Sequence, residues 1–461
     1  MRRFPTLSLR LALWAYQLFW LAGLPIAYAY IRRRAQGDPD YGRHLGERFG
    51  RYAPHGDPGG PGDPGGPTDR GGRVWIHAVS LGEFRSALPL IRLLLDRGDR
   101  LLISHFTPAG RRESHKALAE EIAAGQVRIV WVPFDLGCIW ARFFRWFRPR
   151  LGLVMEIEIW PGMIMGARRA GVPLYLCNAQ YPEKSFRRDR DKTRVRGALM
   201  PGYSGAFVKS RLQQERFQAM GLDPVLVTGE LRFDQPIPPA QVVAGQAARA
   251  WLARGRPVVA LASVVEGEDA LYLDAIEATL AAHKASGLVP PLFVYVPRAP
   301  ERFGETAALV AARGLAHARR SQLLDQHLTS AAPPEDTPDP RIDILVGDSL
   351  GEMNFYLSMA DRVIIGGGFV PKGAHNIIEA LSLGRPAIVG PHVWTIEFPV
   401  VEAIAAGVCL KLPTGAALAE ALAPGGWPGP QAGVIETFLA EHQGAALRTL
   451  AALDKLGFGR P

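Results

Sequence analysis

The most constraining feature of this 461-residue chain is a regular alternation of short apolar, β-branched runs with stretches of helical periodicity. The runs fall at 74–76, 101–103, 127–132, 151–155 and 174–176, with helical patterns such as 84–95 and 111–122 between them. Short apolar strands alternating with helices read as βαβ units around a parallel sheet. The rhythm restarts at 225–228 and continues through 258–261, 292–296, 342–346, 363–365 and 387–389. Two successive α/β domains are expected, 73–225 and 226–461, with the boundary between 220 and 235. The Pro- and acid-rich segment 325–340 reads as a surface loop inside the second.

Ahead of the first domain, residues 11–31 carry no charge, and Arg2, Arg3, Arg10, Arg32, Arg33 and Arg34 flank them. About 20 apolar residues suffice to span a bilayer as a helix. Pro25, Gly23 and Gln17 interrupt the run, and its aromatic residues scatter along it. Residues 1–34 are therefore expected to be a membrane anchor that either spans the bilayer or lies in its interface. A cleaved signal peptide is the alternative, since Ala27-Tyr28-Ala29 imitates a cleavage site; the following arginines oppose export. Residues 35–72 hold a basic stretch (41–52) and a tandem GDPGGP repeat, which reads as a flexible spacer. Lys plus Arg exceed Asp plus Glu by nine (53 against 44), which suits an anionic partner. Dispersed arginines argue against nucleic acid, and three separated cysteines argue against a disulfide framework or a zinc site.

Parallel sheets bind ligands beyond the carboxyl ends of their strands, and five segments stand there. In 77–83, Ser80 and Gly82 make the turn and Glu83 lands at a helix start, as a cap or as a general base. After the strand at 151–155 come Glu156, Glu158 and Trp160, whose two carboxylates would share one face if extended. Arg298 follows the strand at 292–296 and is either a bidentate hydrogen-bond donor to a phosphate or an ion-pair partner of Glu301. Ser349, Gly351 and Glu352 form another strand-end loop. The last segment runs from Gly366, Gly367 and Gly368 through Gly373, His375 and Asn376 to Glu379, where glycines let backbone N–H groups approach a phosphate. It is neither a Walker loop nor a GxGxxG turn.

Taken in order, HAVSLGE (77–83), PFD (133–135), EIEIWP (156–161), GELRFD (229–234), ASVVEGED (262–269), VPRAPERF (296–303), GDSLGEM (347–353) and GGGFVPKGAHNIIEA (366–380) resemble the lipid A Kdo transferases. The resemblance runs from the N-terminal anchor to about residue 410. It implies a GT-B glycosyltransferase of two Rossmann-like domains with a cleft between them, moving 3-deoxy-D-manno-octulosonic acid (Kdo) from CMP-Kdo to a lipid A precursor. Under it, Glu83 is the general base and Asp135 lies near the reacting sugars. Arg298, Ser349, Gly351, Glu352, Gly373, His375, Asn376 and Glu379 hold the CMP-sugar. Ser80, Gly82, Glu156, Glu158 and Trp160 lie toward the acceptor. No metal or cofactor is expected. The partners are a CMP-activated sugar acid, an anionic lipid acceptor and the inner leaflet of a bacterial inner membrane, with the catalytic domains on the cytoplasmic face.

The chain departs from the family pattern at several points. Gly162 stands for Asn, Gln180-Tyr181-Pro182 for an Arg-Leu-Ser run, Ala299 for His, Val264-Val265 for Thr-His, Glu230 for Asn and Ala374 for Gly. These changes leave open a divergent paralogue with another CMP-ulosonic acid, a UDP-sugar or a different acceptor. The alternative of another class is an inactive membrane-bound scaffold, which the presence of Glu83 opposes.

Overall fold

The computed structural model describes residues 4–52, 72–190, 195–329 and 342–459. The GDPGGP repeats and residues 330–340 of the expected surface loop lie outside them. The chain forms two compact units, Met1–Gln235 with Gln443–Pro461, and Pro236–His442.

The first unit holds seven parallel strands: β1 (Val74–His77), β2 (Leu101–His105), β3 (Val127–Trp131), β4 (Leu151–Met155), β5 (Leu174–Ala179), β6 (Gly205–Val208) and β7 (Val225–Val227). Their order is β3-β2-β1-β4-β5-β6-β7. Alternate residues serve opposite faces: Val74, Ile76, Ile103 and Leu153 enter one core, Trp75, Leu102, Val154 and Leu176 the other. Both faces are thus covered, which is why these strands read as unbroken apolar runs. On the second face Trp75 packs against Trp140 and Phe143, with ring centroids 5.6 and 4.9 Å apart. Each such buried aromatic contributes roughly 1.5–3 kcal/mol.

The division falls at the end of the expected 220–235 window, but two segments change sides. The run at 225–228 does not open the second domain; it is the last strand of the first sheet, paired with β6. The division therefore falls after Gln235, and Gln443–Pro461 returns to the first unit. There the helix Ala445–Leu453 buries Ala445, Ala446 and Leu453 in the core that holds Phe84 and Leu90. Asp234 caps this helix by accepting the N–H groups of Gly444 (2.6 Å) and Ala446 (2.7 Å). A three-residue strand and a helix 210 residues away are beyond what periodicity can assign.

The N-terminal helix α1 (Leu7–Gly37, 31 residues) starts on Thr6, whose side chain accepts the Leu9 N–H. It is long and apolar enough to cross a membrane. One face docks on the first unit through Trp20, Leu24 and Ala27, against Phe134, Leu136 and Ile139. The other leaves Trp14, Leu18, Phe19, Leu21 and Ile26 more than 60% exposed.

The second unit is again wholly parallel: β8 (Val258–Val264), β9 (Leu292–Pro297), β10 (His317–Arg319), β11 (Ile344–Val346), β12 (Arg362–Ile365), β13 (Ala387–Val389) and β14 (Cys409–Lys411). Its order is β10-β11-β9-β8-β12-β13-β14. The strands β10 (His-Ala-Arg) and β14 (Cys-Leu-Lys) escape the sequence reading because their charged and polar residues leave no apolar run of the kind that marks β11 and β13.

Candidate active site

Each sheet has a topological switch point, where successive connections leave in opposite directions and the loops beyond the strands part. In the first unit it lies between β1 and β4, so the segments 78–83 and 156–160 flank it. The second unit places its switch between β8 and β12, flanked by 265–268 and 366–376. The strong sequence motifs therefore converge on the two positions where a parallel sheet opens a crevice.

Glu83 stands in the first turn of helix α2 (Leu81–Asp96). Its carboxylate accepts the Val79 N–H (2.8 Å) and the Ser80 hydroxyl (3.1 Å), while Ser80 Oγ accepts the Glu83 N–H (3.3 Å). Ser80 thus caps the helix N-terminus while the Glu83 carboxylate reaches back to the Val79 N–H, so the cap and the poised carboxylate are one arrangement. Gly82 is exposed beside it. Burial pushes the Glu83 carboxyl up to about 8, Glu158 and Glu156 add to the rise, and the Val79 N–H and Ser80 hydroxyl oppose it. A carboxyl tuned to near neutrality is matched to proton transfer.

Glu156 and Glu158 do not share a face as an extended segment would place them. Glu156 takes a left-handed backbone (φ 57°), which breaks the alternation. Its carboxylate meets Lys209 Nζ (3.2 Å), which also pairs with Glu230 (2.7 Å). Asn178 joins the group, donating to Glu230 (2.8 Å) and accepting the Leu231 N–H (2.9 Å). Although burial opposes it, Lys209 and Arg232 hold the Glu230 carboxyl below its usual range. Glu158 instead accepts the Trp160 indole N–H (2.5 Å), and burial raises its pKa.

Asp135 is 1% exposed and serves another purpose than the one expected. Its oxygens accept four donors: Tyr16 OH (2.8 Å), Trp140 Nε1 (2.8 Å) and the N–H groups of Gly162 and Met163 (3.0 Å each). With every favourable acceptor direction used, it ties α1 to the N-terminus of the helix Pro161–Ala170 and is not presented to a reacting sugar. Gly162 is part of this arrangement, since a Cβ there would lie 2.6 Å from Asp135 Oδ1.

In the second unit the loops after β11, β9, β8 and β12 are neighbours along one sheet edge. Arg298, just beyond β9, is exposed and pairs with no carboxylate among the described residues, Glu301 included. His375 is half-buried and its Nε2 has no partner. Burial, then Arg298, pulls its pKa down to about 4, so the ring is neutral at pH 7. Gly373 has φ 90°, a conformation glycine adopts without strain. Asn376 accepts the Ile378 N–H (2.9 Å) and opens a short helix carrying Glu379. Ser349 bonds to Glu352 and to Tyr356 OH (2.6 Å), and Glu352 pairs with Arg320 (2.6 Å). Gly351 is exposed between them with φ 79°.

Glu268, within the motif ASVVEGED, is a further residue of this site whose task the sequence does not reveal. It is fully buried and accepts the N–H groups of Gly367 (2.7 Å), Phe369 (3.1 Å) and Val265 (3.2 Å). One carboxylate thus clamps the two loops at the switch point. A buried acid beside a glycine-rich turn was the available signal. Lys209, its partner Glu230 and Asn178 carried no such signal, because separate strands supply them.

A family model described as 3-deoxy-D-manno-octulosonic-acid transferase (kdotransferase) matches residues 43–235. A 3-deoxy-D-manno-octulosonic acid transferase of Bordetella pertussis is 40% identical over 83% of this chain and 86% of its own length. The enzyme of the same name from Haemophilus influenzae is 28% identical over 82% and 81%. Among solved structures, a glycosyltransferase from Rickettsia africae superposes with a TM-score of 0.53 at 12% identity, covering 83% of this chain and 97% of that one. That likeness concerns the fold, which is GT-B.

Proposed function

The chain belongs to the 3-deoxy-D-manno-octulosonic-acid (Kdo) transferases, and from that premise we propose that it moves Kdo from CMP-Kdo to a lipid A precursor, lipid IVA, in lipopolysaccharide core biosynthesis. Glu83 carries the reading: a capped carboxyl at the first switch point whose pKa of about 8 suits a general base. An acceptor hydroxyl attacks the anomeric carbon of Kdo while the bond from that carbon to the CMP phosphate oxygen breaks. Glu83, ionised, takes the hydroxyl proton, and the bonding electrons leave with CMP. Arg298 and the backbone N–H groups of Gly373 and Asn376 stabilise the charge on the departing phosphate, those of Ala374 and His375 being already given to the His392 and Gly366 carbonyls. His375, neutral at pH 7, can donate one hydrogen bond to the donor. Ser349, Gly351 and Glu352 hold the nucleotide, Asn376 shapes the loop, and Glu379 takes the ribose.

Ser80, Gly82, Glu156, Glu158 and Trp160 frame the acceptor. The reaction needs no metal or cofactor, and nucleic acid is not a partner. Helix α1 attaches the protein to the bacterial inner membrane. Arg32, Arg33 and Arg34 at its end suit the anionic cytoplasmic leaflet, where both units work.

The test is radiolabelled transfer from CMP-Kdo to lipid IVA by the native chain and by Glu83→Gln. Native transfer is expected, with a loss of about 10²–10⁴-fold in the variant. A folded native protein that binds CMP and transfers nothing would overturn the substrate assignment.

A further inference from the structure

Between α1 and the carboxyl edge of the first sheet lies a cavity of about 470 Å³, within the roughly 300–1,000 Å³ of pockets that enclose small ligands. Trp20, Ala27, Tyr30 and Ile31 of α1 supply one wall, and their spacing keeps them on one helix face. Val79, Phe106, Phe134 and Trp160, from the loops beyond β1 to β4, supply the other. Val79 is the residue whose N–H is held by Glu83, so an occupant lies beside the base.

Arg48 makes this more than a gap in packing. It lines the cavity and is 0% exposed. Its Nη2 donates to the Phe106 carbonyl (3.1 Å), while Nε and Nη1 have no partner. The guanidinium lies over the rings of Phe106 and Trp131, 5.1 and 4.5 Å from their centroids. Buried donors left unsatisfied are costly, and an entering oxygen would meet that demand. The remaining lining is largely apolar and asks for hydrocarbon. The outer face of the same helix exposes Leu18, Phe19, Leu21 and Ile26, so the cavity is walled by an element suited to lipid.

We propose that this cavity receives one acyl chain of the lipid acceptor, and that Arg48 donates to an oxygen at the head of that chain. The assignment of the chain to the acceptor rests on the transferase reading above. On this view α1 does more than attach the protein to a membrane: its inner face selects the acceptor.

The experiment uses the full chain and N-dodecanoyl glucosamine bearing a diazirine at the chain terminus. Saturable photolabelling is expected at Trp20 or Phe134, competed by unlabelled N-dodecanoyl glucosamine. Each methylene removed from the competitor should weaken it about fourfold. Ala27→Phe, which fills the cavity, should reduce saturable labelling at least tenfold with an unchanged melting temperature. It should also raise KM for acylated relative to deacylated acceptor. Arg48→Met should abolish the preference for the amide over dodecane; should it fail to fold, Ala27→Phe carries the test. Equal competition by a diacyl phospholipid would overturn the assignment to the acceptor. Normal Kdo transfer with labelling indifferent to Ala27→Phe would overturn the acyl site alone. Absent transfer with saturable, chain-length-dependent labelling would instead overturn the transferase reading and leave the acyl site standing.

Discussion

Glu83 is the residue on which the chemistry turns, and its environment makes a pH prediction. Burial raises its carboxyl to about 8, so at lower pH it is protonated and cannot act as a base. kcat/KM for transfer should therefore rise with pH and level off above about 8, in a profile measured from pH 6 to 9.5. A flat native profile would sink its assignment as base. The Lys209 group makes a prediction about stability. Lys209 and Glu230 have side chains only 4% and 2% exposed and are 2.7 Å apart. Lys209→Met strands a buried carboxylate and should cost about 3–5 kcal/mol by urea unfolding, with Glu230→Gln in the same chain restoring most of it. Glu83 was legible in the sequence because its cap with Ser80 lies within four consecutive residues. The Lys209 group was not, because Asn178, Lys209 and Glu230 come from separate strand ends that only sheet register brings together.

At the scale of elements, α1 is held by polar contacts as well as by apolar packing. Tyr16 donates to Asp135, Gln17 accepts the Gly137 N–H (2.7 Å), and Trp20 donates to Tyr16 (2.6 Å). Tyr16 and Gln17, which looked like blemishes in an apolar span, are what dock it. Gly162 belongs to the same junction. Replacing it with Asn would press a Cβ against Asp135 (2.6 Å) and should destabilise the protein by about 1–3 kcal/mol, read as a lower Tm in thermal melts. An unchanged Tm would mean that the Asp135 junction yields to a side chain. The strand-end motifs were legible because turn and cap chemistry is local. Asp135 was misread because nothing in PFD reveals that a helix N-terminus and a tyrosine from α1 converge on it.

For the whole molecule, the second unit closes its own core: Leu261, Tyr272, Tyr295 and Ile364 are all buried within it. A fragment of residues 236–442 should unfold cooperatively by itself, monitored by circular dichroism. A chain ending at residue 442 lacks the helix that buries Leu453 against the core of α2. Its first unit should melt well below that of the full chain, or fail to fold. If the truncated chain melts like the full one, the returning helix is dispensable.

By itself the sequence determined two parallel α/β sheets, an apolar N-terminal helix, and the strand-end positions of Glu83, Arg298 and His375. Those follow from periodicity and turn chemistry, which act over a few residues. Only the tertiary structure decided that β7 closes the first sheet, that Gln443–Pro461 returns to it, and that Asp135 is a clamp. It alone also buried Arg48 without a full set of partners beside an apolar cavity. Such facts depend on which distant segments a buried polar group meets, and desolvation enforces that pairing only once the chain is packed.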